Sequence, residues 1–161
     1  MKVTASEGDR DAIIDKCEEI ILGGDPITCP LTHRFTDGMY SREIFMPKGT
    51  VLTTRVHKTN HPFVVSKGKC KVFDGHSIME IEAPYTGITE PNTRRLLYIE
   101  EDTIWTTFHV TDLKDVKEIE EEILVDYKNE LLDQDQFFAF NKKCTEENIT
   151  VENIKKIKGG E

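Results

Sequence analysis

The sequence lacks most of the features that assign a protein directly to a class. Its 161 residues contain no apolar run near the roughly 20 residues that span a bilayer, and the first sixteen lack the apolar core of a secretory signal. It has no glycine-rich phosphate loop and no nucleophile elbow. We therefore expect a cytoplasmic protein without a membrane partner, whose function depends on a less standard site.

Positive charge and cysteine are also scarce. The 21 Lys and Arg residues are outnumbered by 30 Asp and Glu, which leaves a net charge of -9. Such a charge repels a phosphate backbone and argues against non-specific binding to nucleic acid. None of the cysteines stands in a C-x-x-C pair, so we expect free thiols and no zinc knuckle at Cys17, Cys29, Cys70 and Cys144.

Helical spacing of apolar residues is confined to the two ends of the chain. Residues 6–22 predict a helix capped by Ser6, and residues 1–25 would pack this helix on the rest of the protein. A second apolar stripe begins at Leu113, and a further amphipathic stretch covers roughly 125–140. We expect a C-terminal helical segment over 113–143 and a polar tail over 144–161. The acids of Glu118–Glu122 are interpreted as one solvated helix face.

Between these ends, residues 26–112 consist of short apolar or alternating runs broken by turn residues. Turn signals include Asp37-Gly38, Lys67-Gly68 and Asp74-Gly75, and Lys-Gly and Asp-Gly favour hairpins. Seven or more short strands at this spacing predict a barrel or sandwich. The runs are Glu43–Met46, Val51–Val56, Phe63–Val65, Lys69–Phe73, Ser77–Ile81, Arg95–Ile99 and Thr103–Val110.

The segment from Pro47 to Gly68 resembles the first motif of the cupin superfamily. That motif is a glycine, five residues, H-x-H, three or four residues, a glutamate, six residues and a glycine. Setting Gly49 and Gly68 on the glycines places Arg55 and His57 at the H-x-H pair and His61 at the glutamate. Arg95 falls at the histidine of the second motif. The resemblance implies a mainly β protein, a cupin-type antiparallel β-barrel (jelly roll) over roughly 27–112, and a homodimer.

Three further segments resemble one cupin subgroup, the uncharacterised cupin-like proteins of tailed phages. They are residues 38–43, residues 83–88 and the run from Glu100 to His109. This likeness implies a phage-encoded protein that works in the host cytoplasm. In a further alternative, the helix at 112–124 and the amphipathic stretch after it serve as a dimer or partner surface, and the barrel is a protein-interaction module that acts on a host protein.

The usual metal site of cupins, three histidines and a glutamate, is not preserved in this sequence. Two of its four positions are Arg55 and Arg95, and a protonated guanidinium cannot ligate a cation. His57, His61 and His109 form a different set, which suits a divalent transition metal such as Zn, Fe, Ni or Mn with open positions for water or substrate. The alternative is that these histidines make hydrogen bonds in a polar barrel mouth.

The arginines predict a second kind of site. Arg55 and Arg95, with Arg42 as a third member, would bind carboxylate or phosphate if they converged on one cavity. Tyr98 and Trp105 could line that cavity and stack on a planar ligand. In the alternative, Arg42 pairs with a surface acid, Arg94 is solvated and the aromatic residues are core.

Three functions follow from these residues. The first is binding of an anionic metabolite or nucleotide in the barrel. The second is metal-dependent enzymatic chemistry at the three histidines, and the third is the interaction module.

Overall fold

The computed structural model describes residues 7–21, 26–125 and 139–140. The chain forms a mainly antiparallel β structure with a helix at each end, as the sequence predicts. None of the described helices is long and apolar enough to cross a membrane. In chain order the elements are α1 (Glu7–Ile21), β1 (Pro26–Ile27), β2 (Leu31–Thr36), β3 (Met39–Met46), β4 (Val51–Thr53), β5 (His61–Phe73), β6 (Ile78–Glu82), β7 (Tyr85–Thr89), β8 (Leu96–Val110), α2 (Val116–Ile123) and β9 (Ala139–Phe140).

Two long strands organise the main sheet. Its order is β2-β3-β8-β5-β6, with β4 also paired to β8 and β7 to β5. The first half of β8 pairs with β4 and the second half with β3. In the same way, β5 pairs first with β7 and then with β6. Because β5 and β8 each serve two sets of neighbours, the sheet closes around one interior in the manner of a jelly roll.

The dipeptide Lys67-Gly68 lies inside β5, so the hairpin predicted there is wrong. The pairing of β5 with β8 shifts register around it, between Val65 and Cys70. Gly68 has a φ of +94°, and a Cβ atom there would lie 2.4 Å from the Asp102 carbonyl oxygen. The glycine therefore serves a bulge that bends a continuous strand, a use of positive φ that sequence alone does not distinguish from a turn. The turns at Asp37-Gly38 and Asp74-Gly75 are confirmed.

Two strands of the main sheet, β2 and β7, are absent from the sequence prediction, as are the short strands β1 and β9. In β2 nearly every residue is at least partly exposed, which removes the apolar signal of a buried strand. The other missed strand, β7, contains Gly87, and a glycine inside so short a run interrupts the apolar pattern of a strand. A Cβ atom at Gly87 would lie 2.7 Å from the Phe63 ring, so this glycine allows the ring to lie against the strand.

Two apolar clusters hold the barrel and α2 together. The smaller cluster lies between the barrel and α2 and contains Tyr40 of β3 together with Ile119 and Ile123 of α2. It fixes one face of α2 on the barrel. The barrel core consists of Met46, Leu52, Phe63, Val65, Cys70, Val72, Ile81, Leu97, Ile99 and Trp105.

Both predicted helices form at the ends of the barrel. Ile14 and Cys17 of α1 are buried, and α1 lies against β4. Asp115 caps α2 by accepting a hydrogen bond from the amide of Glu118. The predicted amphipathic stretch over 125–140 lies largely outside the described residues. Its last two residues form β9, which pairs with β1, so the helical prediction is wrong at Ala139–Phe140. The cap at Ser6 and the tail over 144–161 also lie outside.

Candidate metal centre and cavity

The three predicted histidines meet at one end of the barrel. The candidate ligand atoms of His57, His61 and His109 lie within 4.8 Å of one another. Their ring centroids are 4.2 Å apart for His57–His61, 4.6 Å for His61–His109 and 5.2 Å for His57–His109. His61 and His109 are each 4% exposed. The structure thus brings together the set that the sequence proposed as metal ligands.

Strand register places two of these histidines side by side. Phe63 of β5 pairs with Thr107 of β8 in antiparallel register. His61 precedes Phe63 by two residues and His109 follows Thr107 by two, so both project on the same face of the sheet.

The third histidine is held by backbone contacts with the end of α2. His57 forms an isolated β-bridge with Leu124. On either side of it, the amide of Lys58 donates to the Ile123 carbonyl at 2.8 Å, and the amide of Val125 donates to the Val56 carbonyl at 2.9 Å. The carbonyl of His57 also accepts from the amide of Asn92 at 3.0 Å. His57 is therefore fixed although it lies outside the main strands.

Burial keeps these imidazoles neutral. It lowers the pKa of His57 to about 2, and the neighbouring His61, His109, Arg42 and Arg55 act in the same direction. Burial, followed by the influence of His61 and Arg42, lowers the pKa of His109 to about 3. The pKa of His61 is also lowered, mainly by burial. A neutral imidazole is the form that coordinates a metal ion.

Hydrogen bonding in the cluster fits a metal ion better than a closed polar network. The Nδ1 atom of His61 is buried and has no hydrogen-bond partner. Nε2 of His109 lies 3.0 Å from the hydroxyl of Thr107. Metal-bound histidines use one ring nitrogen for the metal and orient the ring through the other. Three such ligands would hold a divalent ion and leave coordination positions for water or substrate.

A cavity opens beside His57. Its empty volume is about 540 Å³, a figure that includes solvent at the mouth. Part of its lining is apolar and includes Trp105. The Trp105 ring stacks on the Phe63 ring, with 4.5 Å between the ring centroids. The lining residues are Arg42, Ile44, Met46, Leu52, Thr54, Arg55, His57, Leu97, Trp105 and Thr107.

Two of the three predicted arginines line this cavity, and an acid of α2 bridges them. Glu120 lies 3.5 Å from Arg42 and 3.3 Å from Arg55, measured between oxygen and nitrogen atoms. Its side chain is only 13% exposed. The interpretation of Glu118–Glu122 as one solvated face is therefore wrong at Glu120. The acid that meets Arg42 is therefore not on the barrel surface as predicted, and the Arg42 side chain is itself only 10% exposed.

Arg95 and Tyr98 lie elsewhere. Arg95 donates to the Thr89 hydroxyl at 3.0 Å, and its guanidinium carbon is 5.6 Å from the centre of the Phe63 ring. It is not part of the cavity lining given above, so it does not converge with Arg42 and Arg55. Tyr98 follows Leu97, which lines the cavity, and successive strand residues face opposite sides of a sheet. The structure therefore places Tyr98 outside the cavity.

Arg94 is buried, which contradicts its interpretation as a solvated residue. It is 1% exposed, and its guanidinium nitrogens lie 2.8 Å from Asp15 and 2.9 Å from Glu18 of α1. Glu18 also accepts a hydrogen bond from the Thr53 hydroxyl at 2.7 Å. We name the group Asp15, Glu18, Thr53 and Arg94 the α1 anchor.

Glu120 and Tyr40 are site residues that the motif comparison missed. Tyr40 is 1% exposed, stacks on His109 and lies 2.6 Å from Nδ1 of His33 through its hydroxyl. Tyr40 lies in the 38–43 segment of the subgroup resemblance, but that resemblance gives it no role in a site. Glu120, however, stands among Val116, Ile119 and Ile123 at the spacing of one helix face, and this spacing could have identified it as an inward-facing acid.

The cysteines that the structure describes form no disulfide, in agreement with the sequence. Burial raises the pKa of Cys17 to about 11 and that of Cys70 to about 12, so these thiols stay protonated. Cys144 lies outside the described residues.

Comparison with known proteins gives fold likeness only. No family model matches the chain, and no curated protein sequence matches it. Similar solved structures include a double-stranded β-helix protein of Klebsiella pneumoniae, at 11% identity over 67% of this chain and 95% of the other, with a TM-score of 0.47.

Two further similar structures come from a yeast and a bacterium. The Cnp3 cupin domain of Schizosaccharomyces pombe matches at 15% identity over 68% of this chain and 77% of the other, with a TM-score of 0.46. An acetylacetone dioxygenase of Acinetobacter johnsonii matches at 11% identity over 54% and 67%, with a TM-score of 0.44. By name, the Klebsiella pneumoniae structure contains a double-stranded β-helix domain and the Schizosaccharomyces pombe structure is a cupin domain.

Proposed function

We propose that the protein holds a divalent transition metal through His57, His61 and His109 and binds a small anionic ligand in the adjoining cavity. The observation that carries this proposal is the convergence of three buried imidazoles within 4.8 Å. Of the four positions of the usual cupin motif, only those of His57 and His61 contribute to it, since Arg55 and Arg95 cannot coordinate a cation.

The ligand set fits a metal in its charge state and its geometry. All three histidine pKa values are lowered, so no proton has to leave before a metal binds near neutral pH. Ligand atoms at Zn–N bond lengths stand about 3.4 Å apart in a tetrahedral site. The separations here lie within 4.8 Å, so small ring rotations would complete the site.

The charge of such a centre favours an anionic ligand. Three neutral imidazoles leave the full charge of a divalent ion uncompensated, and Arg42 and Arg55 add guanidinium groups to the same cavity. A carboxylate or phosphate group would neutralise part of this buried positive charge. The ligand class we propose is therefore an anionic metabolite or nucleotide.

Metal analysis of protein purified without a histidine tag tests the centre. We expect one metal ion per chain, and a loss of metal affinity in His61→Ala beyond the roughly 10–100-fold that removal of an outer-shell partner causes. His76→Ala is the matched control because His76 is exposed and lies in a turn away from the cluster. An equal metal content in the wild type, His61→Ala and His109→Ala would overturn the proposal.

A further inference from the structure

Glu120 contacts two arginines that line the cavity, although it is not itself among the lining residues given above. It belongs to α2, whereas Arg42 belongs to β3 and Arg55 follows β4. One of its carboxylate oxygens lies 3.5 Å from an Arg42 nitrogen and the other 3.3 Å from an Arg55 nitrogen. A single carboxylate thus spans two guanidinium groups that line the cavity, and its position marks where a carboxylate fits between them.

The fit of Glu120 in this position is loose. Charge-assisted N–H···O bonds are typically about 2.7–2.9 Å long, and both contacts here are longer. The Nη1 atom of Arg55 is buried and makes no hydrogen bond, although Glu120 is its ion-pair partner. Glu120 is tethered to the backbone of α2, whereas a free carboxylate is not. An unsatisfied buried donor is a strong attraction for such a ligand.

We infer that Arg42 and Arg55 form a carboxylate subsite, that Glu120 fills it in the absence of ligand, and that the ligand displaces Glu120 on binding. The inference rests on the proposed function in that the same cavity takes the ligand, but it does not require the metal. It assigns to Glu120 the role of an internal competitor that sets the affinity of the site.

The apolar residues that line the cavity indicate the chemistry of the rest of the ligand. Met46, Leu52 and Leu97 face the same cavity and offer no hydrogen-bonding group through their side chains. Apolar surface of this kind stabilises an alkyl chain. The ligand class is therefore a small monocarboxylate whose carboxylate meets Arg42 and Arg55 and whose short apolar tail lies on this wall.

Fluorescence of Trp105 reports on this cavity, because Trp105 lines it and is the single tryptophan of the chain. Metal-free protein is titrated with butyrate and with butyramide, its uncharged analogue of similar size. We expect Glu120→Gln to bind butyrate about tenfold more tightly than the wild type, the change that corresponds to about 1.4 kcal/mol. The affinity for butyramide should not change. Glu121→Gln is the matched control, with the same change of charge on an exposed position of α2.

Equal affinities of the wild type and Glu120→Gln for butyrate would overturn the inference, as would a folded Glu120→Gln protein that binds no butyrate. Arg55→Gln should lose butyrate binding in both backgrounds, and its retention would also contradict the subsite. If Glu120→Gln does not fold, hydrogen exchange of the wild type decides: butyrate should accelerate exchange in α2, and unchanged or slower exchange overturns displacement. Because the titration uses metal-free protein, its failure is separate from a failure of metal binding.

Discussion

Both helices contact the barrel through arginine–carboxylate ion pairs, but the helix supplies two acids in one case and a single acid in the other. In the α1 anchor, one arginine of the barrel, Arg94, meets two acids of the helix. At α2, one acid of the helix, Glu120, meets two arginines of the barrel. The contacts of the α1 anchor are 2.8 and 2.9 Å long, and those of Glu120 are 3.5 and 3.3 Å.

The difference in contact length suggests different roles: the α1 anchor attaches a helix, and the position of Glu120 can bind a ligand. The side chain of Arg94 is 2% exposed, and its contacts with Asp15 and Glu18 are short. The two arginines that Glu120 contacts instead line a cavity of about 540 Å³, and its contacts with them are 3.5 and 3.3 Å long. A buried ion pair with short contacts holds a helix in place, whereas a long contact at a cavity can be exchanged for another anion.

The largest expected effect is on the α1 anchor. Arg94→Ala would leave Glu18 buried without its cation, and removal of one partner of a buried pair costs about 3–5 kcal/mol of unfolding free energy. Urea unfolding followed by circular dichroism measures this loss. Arg34→Ala is the control, since Arg34 forms an exposed pair with Glu43 that is worth about 0–1 kcal/mol. Similar losses in the two variants would contradict the assignment of Arg94 as an attachment.

The pH dependence of stability tests the region near α2, because His57 and His109 both lie close enough to Arg42, a partner of Glu120, for it to lower their pKa values. Their pKa values of about 2 and about 3 in the folded protein lie below the usual 6.5. The unfolded chain therefore takes up protons first as the pH falls below 6.5. The stability contributed by the neutral rings is present above pH 6.5 and is lost progressively toward pH 3.

For the two histidines together we expect a loss of about 3 kcal/mol between pH 6.5 and 5 in metal-free protein, at about 1.4 kcal/mol per pH unit for each well below 6.5. Urea unfolding at a series of pH values measures it. His109→Gln should flatten this dependence by about half. Parallel curves for the variant and the wild type would show that burial does not hold His109 neutral.

The smallest effect is expected where the same substitution is made at both helices. Glu18→Gln removes the charge that meets Arg94 and weakens a charged hydrogen bond from Thr53, at a cost of about 2 kcal/mol. Glu120→Gln should cost less than Glu18→Gln, because the Glu120 contacts are 3.5 and 3.3 Å long and the Arg94–Glu18 contact is 2.9 Å. Thermal and urea unfolding of the two variants give both values. A larger loss of unfolding free energy in Glu120→Gln than in Glu18→Gln would mean that Glu120 mainly stabilises the attachment of α2 to the barrel.

Much of the fold could be predicted because it depends on local patterns. Alternating apolar runs gave most strands, and helical spacing gave α1 and α2. The prediction failed where a local signal has two structural meanings. Lys67-Gly68 has the composition of a hairpin, and only the approach of Asp102 and Thr103 from a distant strand shows that Gly68 serves a bulge.

The candidate site divides in the same way. His57 and His61 are close in sequence, so their proximity could be anticipated, and the cupin resemblance added His109. The partners of the arginines could not be read from motifs, because ion pairs form between segments far apart in the chain. Arg94 and Arg95 are neighbours, yet one meets α1 and the other meets Thr89. Nevertheless, the positions of Glu18 and Glu120 on the apolar faces of their helices were visible signals of inward-facing acids.

The backbone bridge between His57 and Leu124 has a consequence for how the chain can be divided. Two of the three backbone hydrogen bonds described above around His57 involve Ile123 and Val125, which follow the last barrel strand. A fragment that stops at residue 112 would keep every strand of the main sheet and all three histidines. It would nevertheless lack the support that orients one of them. The smallest portion of the protein able to preserve the site therefore extends through Val125, beyond the boundary that the strand pattern alone suggests.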